Sequence, residues 1–513
     1  MNTEALRATR REWLGLAVLA LPTLLLSLDV SVLYLALNQL SVDLGADSTA
    51  QLWILDIYSF MLAGFLVTMG TLGDRIGRRR LLLIGAAAFG LISVVAAYAA
   101  SPGLLIVARA LLGIAGATLM PSTMALIRNM FRDPRQMAGA IGIWFTCFMG
   151  GMTLGPLVGG ALLTTFWWGS AFLLGVPFMA LLLVAGPVLL PEYRDPAAGR
   201  LDLTSVAMSL AAILPVIYGL KEIARTGWHI GSAAAVVAGA LVGVAFVRRQ
   251  RRLADPLLDV RLFANRAFRS ALAIALATGI VMAGVTLMSV LYLQAVRGLS
   301  PLHAGLWLIP QNIAMVAGMN LVPRLGRRIR PARLMAAGLL LGAVGLLVQT
   351  GTATGGLGAV VVGLTLAGAG ISPAMALTLN LILGSAPAEK AGSAASLYET
   401  SGEFGVALGV AALGSLAAVV YRAELTIPPG TPAAAASAAH QGITAATAAA
   451  GDLPSGLGAD LLEAVRTAFT AGLAAVAGVG AAVFVGLAIL AALIFRTSSP
   501  AGMVGEVRAD AVR

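Results

Sequence analysis

A chain of 513 residues that is 59% hydrophobic and 11% charged carries too little polar composition to cover a soluble fold of that size. The net charge of +11 does not point to nucleic acid, because the basic residues lie in short stretches between apolar runs. The single cysteine, Cys147, falls inside an apolar run and excludes an intramolecular disulfide.

A helix rises about 1.5 Å per residue, so roughly 20 apolar residues cross a hydrocarbon core of about 30 Å. Residues 1–12 are basic (Arg7, Arg10, Arg11), and the apolar run after them is too long for a signal-peptide core. It reads as the first spanning helix, 14–38. Further runs follow at 51–72, 81–100, 104–126, 138–163, 169–190, 203–221 and 231–248. The remainder are 268–296, 304–323, 332–351, 355–384, 391–421 and 467–495, which makes fourteen. Helices suit these runs because lipid leaves no partner for unpaired backbone groups. The period-two alternation of a membrane barrel is absent.

Orientation follows from Lys and Arg. With the N-terminus inside, 28 of the 34 basic residues fall in cytoplasmic segments and five outside, leaving Arg109 at membrane depth. Both termini are therefore expected in the cytoplasm. Trp13, Trp53, Trp167, Trp168 and Trp228 fall near helix ends, as interfacial anchors do. Residues 422–466 form a long external loop rich in Ala, Pro and Gly, with short helices expected near 433–450 and 458–466.

Two segments carry specific patterns. Gly70-Thr71-Leu72-Gly73-Asp74-Arg75-Ile76-Gly77-Arg78-Arg79-Arg80 follows the second helix, with glycines for a tight turn and an Asp beside Arg for charge-assisted contacts. The fifth helix holds Gly151-Met152-Thr153-Leu154-Gly155-Pro156-Leu157-Val158-Gly159-Gly160, where glycines permit close helix packing and Pro156 interrupts the hydrogen-bond ladder. The first resembles the loop motif of the major facilitator superfamily, and the second is similar to the motif of its antiporters.

The resemblance extends along the chain. Leu28-Asp29-Val30-Ser31 through Ala36-Leu37 resembles the first-helix motif of the fourteen-helix drug:proton antiporters, with Ser31 for the usual Thr and Asn38 for the usual Pro. Leu105 to Gly113, centred on Arg109, resembles the fourth-helix motif linked to proton coupling. Gln51-Leu52-Trp53-Ile54, Asp56-Ile57-Tyr58-Ser59 and Asp259 to Phe263 look like the quaternary-ammonium multidrug efflux pumps. The resemblance implies an all-α polytopic fold: a six-helix bundle in 1–190, an inserted helix pair in 191–267, a second bundle in 268–495 and a cytoplasmic tail, 496–513. In the second half the loop motif has only a degenerate echo at Leu325-Gly326-Arg327-Arg328, with Pro323 where an Asp would sit.

Ionisable residues at membrane depth are costly and usually functional. Asp29, Asp56 and Arg109 fall at similar depth in the outer half of their helices. Asp29 with Arg109 is expected to carry proton coupling, with a static ion pair as the alternative. Asp56 is expected to capture cationic substrate, with a solvated cap as the alternative. Glu399 and Glu403, four apart, share a helix face, which suits proton exchange or a dicationic ligand. The resemblance places acidic residues at both positions. Met315 stands where some relatives carry a further acidic residue, which counts against dications. Tyr34, Tyr58, Trp144, Phe145, Met149, Trp307 and Tyr398 are candidates for an aromatic, Met-rich cavity suited to flat lipophilic cations, with core or lipid packing as the alternative for each. Gly70, Gly73, Asp74, Arg75, Gly77, Arg78, Gly151, Gly155, Pro156, Gly159 and Gly160 are the conformational candidates.

The three histidines, His229, His303 and His440, are scattered, and no metal-ligand or nucleotide-binding spacing appears. The expectation is a monomeric proton-coupled exporter of lipophilic cations in the bacterial cytoplasmic membrane, with no metal or organic cofactor and no enzymatic role. An exporter dedicated to one antibiotic, metabolite or lipid is the alternative.

Overall fold

The computed structural model describes residues 8–46, 48–194, 202–226, 229–253, 256, 258, 260–326, 328–385 and 391–494. The tail 496–513 and Trp228 lie outside the described residues, as does Asp259. Among the described residues the structure is helical throughout, and fourteen helices are long and apolar enough to cross a membrane.

The first six are α1 (Arg10–Leu44), α2 (Ser48–Ile76), α3 (Arg78–Ala97), α4 (Pro102–Met130), α5 (Pro134–Thr165) and α6 (Ser170–Leu189, interrupted at Leu174). Next come α7 (Leu203–Thr226) and α8 (Ile230–Gln250). The second half holds α9 (Arg266–Leu291, continued by a π turn Tyr292–Val296), α10 (Pro301–Leu325), α11 (Pro331–Thr350), α12 (Thr352–Ser385) and α13 (Ala391–Glu424). Two short helices follow, α14 (Ala433–Gln441) and α15 (Ile443–Gly451), before the long α16 (Ser455–Ile494).

Local chemistry sets several starts. Ser101 accepts a hydrogen bond from the Leu104 amide while Pro102 opens α4, and Ser300 with Pro301 repeats the device at α10. Asn265 caps α9 by accepting from the Ala267 and Phe268 amides. Residues 458–466 do not form a separate helix: they are the first turns of α16, because nothing in that stretch breaks the run into the apolar span. The Tyr421 hydroxyl donates to the Ala439 carbonyl at 2.7 Å and ties α14 to the end of α13.

Packing repeats in the two halves. In the first, α1 lies on α5, α2 on α4, and α3 on α4 and α6. In the second, α9 lies on α13, α10 on α12, and α11 on α12 and α16. The two bundles meet along two seams, α2 with α13 and α5 with α10. The inserted α7 packs on both α2 and α13, so the extra pair flanks one seam. An i, i+3 relation puts Asp56 on the same side of α2 as Trp53, whose ring stacks on Tyr218 of α7 at 6.3 Å.

Helices approach most closely where side chains vanish. A Cβ on Gly151 would stand 2.0 Å from Ser27 Oγ and 2.5 Å from the Leu24 carbonyl of α1. The neighbouring motif position Gly160 has nothing within 4 Å. α5 runs as one helix through Pro156. We therefore expect Gly151→Ala to lower the thermal midpoint of the purified protein, by an overpacking cost of about 1–3 kcal/mol. Gly160→Ala should leave it unchanged, and equal shifts in both variants would contradict this packing.

Candidate functional site

The loop between α2 and α3 is built around one buried guanidinium. Arg78 Nε donates to Asp74 Oδ1 at 2.9 Å, Nη2 donates to the same carboxylate oxygen, and Nη2 also reaches the Gly70 carbonyl at 2.5 Å. A Cβ on Gly73 would meet Arg78 Nη1 at 2.6 Å, and Gly77 sits at φ +113°, in the left-handed region that favours glycine. The Asp74 contact is thus internal to the first bundle. Arg75 closes the last turn of α2.

The group that completes this loop has no local mark in the sequence. Glu192, in the strap after α6, accepts from the Arg79 amide at 3.1 Å and the Arg80 amide at 3.2 Å. Gly77 has no side chain to cap α3, so a carboxylate from more than 100 residues away neutralises its positive end. The Tyr193 carbonyl also accepts from the Arg78 amide at 2.9 Å.

Between α1, α2 and α4, Arg109 of α4 donates from Nη1 to Asp29 Oδ2 of α1 at 2.7 Å and from Nε to the Ile54 carbonyl of α2 at 3.2 Å. Its guanidinium carbon lies 4.4 Å from the centre of the Tyr58 ring. Arg109 is 1% exposed and Asp29 8%, so this is a desolvated pair joining three helices. Tyr58 therefore packs on the arginine and is not among the residues lining the central cavity. Asp56, half-buried on α2, is also not among the lining residues.

The central cavity has a volume of about 710 Å³ and lies between the bundles. Trp144, Phe145 and Met149 of α5 line it, with Tyr398, Glu399 and Glu403 of α13. Eight methionines contribute to the wall, Met315 among them. Trp144 stacks on Phe148 at 6.2 Å with planes 7° apart, and its Nε1 donates to Thr123 Oγ1 at 3.3 Å. Glu399 Oε2 is buried with no hydrogen-bond partner, so an acceptor stands unmatched in apolar surroundings. Trp307 is 41% exposed and lies outside the lining, and the side chain of Tyr34 lies outside the described residues.

Polar residues that sequence reasoning passed over bridge the seam beside the cavity. Asn312 Nδ2 of α10 donates to Thr153 Oγ1 of α5 at 2.8 Å, and Asn320 Nδ2 donates to Thr146 Oγ1 at 3.2 Å. Their spacing along each helix, seven and eight residues, is the only local signal that they share one face.

Two helical bundles with matched internal pairing around a membrane-depth cavity are the architecture of a polytopic transporter. The chain belongs to the major facilitator superfamily, whose family model matches residues 19–410. It is 42% identical to the multidrug efflux pump LfrA of Mycolicibacterium smegmatis over 96% of this chain and 97% of that protein. It is 35% identical to the methyl viologen resistance protein SmvA of Salmonella typhimurium, over 90% of this chain and 93% of that one. The human organic anion transporter MFSD10 shares the fold with a TM-score of 0.58 at 17% identity, over 96% of this chain and all of that one. The protein is thus a multi-pass membrane transporter and not an enzyme.

The Asp29–Arg109 geometry gives a sharp energetic expectation. Arg109→Gln strands a buried carboxylate and should destabilise the purified protein by roughly 3–5 kcal/mol. The double change Asp29→Asn/Arg109→Gln should recover much of that loss in thermal-unfolding midpoint. Additive losses would show that the two side chains are not coupled.

Proposed function

We propose that the protein exports lipophilic cations across the bacterial cytoplasmic membrane in exchange for protons, with its basic end and both termini in the cytoplasm. The observation that carries this reading is the pair Glu399 and Glu403 on the wall of an aromatic, Met-rich cavity between two bundles. A carboxylate in such surroundings is stabilised by a bound cation or by a proton, and the two compete for it. Flat cations gain further from ring faces such as Trp144 and Phe148, and methionines adapt to ligands of different outline.

The orientation rests on the distribution of Lys and Arg, with 28 of 34 on one side. The similarity to pumps named for multidrug efflux and methyl viologen resistance supports the substrate class.

In the exchange, a cation enters from the cytoplasm and is held by the glutamates. Protons arriving from outside neutralise the carboxylates, weaken their hold on the cation and release it. Asp29 adds a second proton acceptor. When Asp29 is neutral, Arg109 loses its charge partner but keeps the Ile54 carbonyl and the Tyr58 ring, so the contact between α1 and α4 loosens while α2 stays attached. The two seams then separate in alternation. Asp56, in the outer half beside the inserted pair, receives the cation as it leaves the cavity.

Ethidium uptake into inverted vesicles under an interior-acid pH gradient tests the scheme. Glu399→Gln/Glu403→Gln should abolish gradient-driven uptake, and Asp29→Asn should uncouple it while leaving ethidium binding intact. Wild-type uptake unaffected by collapsing the pH gradient would rule out proton exchange. Failure to move any lipophilic cation would rule out the substrate class.

A further inference from the structure

The inserted pair is clamped at its basic end. Asp202, just before α7, accepts from Arg249 Nη2 at 2.8 Å and Nε at 3.2 Å, and from Ser205 Oγ at 2.8 Å. The hydrogen bond from Arg249, then that from Ser205, holds the Asp202 carboxyl at about 2, below its ordinary range. Gln250 Nε2 adds a bond of 2.7 Å to Ser205 Oγ. Farther along, α7 and α8 meet through glycine: a Cβ on Gly239 would stand 2.7 Å from the Ala212 carbonyl.

Beside this clamp lies a second cavity of about 600 Å³, sharing no lining residue with the central one. Its wall comes from Met208 of α7 and from Leu241, Val244, Arg248, Arg249 and Arg252 of α8 and the turn after it. Arg249 is committed to Asp202. Among the described residues, the side chains of Arg248 and Arg252 are exposed and make no ion pair or hydrogen bond. At i, i+4 their like charges repel, so the site carries two unneutralised guanidiniums in a small space.

The rest of the wall says what kind of anion fits. Leu241 is 66% exposed and Val244 51%, on the stripe of α8 that leads to Arg248. Leu241 lies seven residues, about 10 Å, farther into the span than Arg248. A cationic mouth continuous with an apolar groove of that length matches a molecule with a phosphate at one end and an alkyl chain at the other. Guanidinium forks bind phosphate oxygens bidentately, and basic pockets between spanning helices take anionic headgroups.

We infer that this cavity is a binding site for an anionic phospholipid, with Arg248 and Arg252 on the phosphate and an acyl chain along Leu241, Val244 and Met208. The lipid fills a face of the pair that the clamp leaves charged. Because α7 packs on α2 and α13, the lipid braces the pair against the seam where the two bundles meet.

Native mass spectrometry of the full-length, delipidated protein tests this, titrating phosphatidylglycerol against phosphatidylcholine of the same chains. Arg248→Gln/Arg252→Gln should weaken phosphatidylglycerol binding roughly thirtyfold and leave phosphatidylcholine unchanged. Arg330→Gln/Arg333→Gln removes equal charge elsewhere and should have no effect. Leu241→Ser/Val244→Ser keeps every charge and should weaken the same lipid. Arg248→Lys/Arg252→Lys should give intermediate binding if the glutamine variant fails to fold. Equal losses in both glutamine variants would overturn the site, as would no loss in either. Glycerol phosphate competing as well as intact lipid would mean a soluble phosphate site and would overturn the lipid assignment.

Discussion

Hydrocarbon offers no partner to a polar atom, and the first bundle answers that constraint at Arg109. The side chain carries five donors that stay charged at any accessible pH, so it must find acceptors within the protein. It takes a carboxylate from α1, a backbone carbonyl from α2 and the face of an aromatic ring. Two helices are thereby fixed relative to one residue of a fourth-helix motif. The close contacts around it depend on that register: Gly113, one turn on, would place a Cβ 2.3 Å from the Tyr58 carbonyl. In the second bundle Glu399 faces the cavity with one oxygen unmatched, open to an incoming charge.

The two seams differ in kind. Where α5 meets α10, neutral amide–hydroxyl bonds cross between the bundles at two levels. Such bonds contribute only about 0.5–1.5 kcal/mol each, so they define a register without locking it. Where α2 meets α13, the inserted α7 lies alongside both, held to α2 in part by stacking of Trp53 on Tyr218 and to α13 by packing of Leu220 with Ala407 and Ala411. Polar bonds cross one seam, and the other is flanked by a third element.

How far the sequence revealed this depends on the range of each interaction. Spanning helices are written in local composition, so all fourteen were readable, with ends misjudged mainly where polar turns continue a helix past the lipid. Residues 458–466 are one case. The Asp29–Arg109 pair was legible because two costly charges at equal depth have few other partners. Glu192 and the Asn312–Thr153 bond were not, since an ordinary Glu in a strap and an ordinary Asn in a helix carry no mark of a partner more than 100 residues away. Aromatic residues were the least determinate: the same composition that put Trp144 on the cavity wall put Trp307 toward the outside, and only packing separates them.

The bond between Glu192 and the start of α3 also bears on how the molecule is made. Helix α3 leaves the ribosome with its first amides uncapped, because Gly77 has nothing to offer them. The carboxylate that meets them lies beyond α6, so it emerges only after three more spans have been threaded into the bilayer. Until then the start of the third helix has the bonds of Arg78 to Asp74 and the Gly70 carbonyl, but no partner for its next amides. Glu192 precedes every residue of the second bundle, so this bond asks nothing of the second half of the chain.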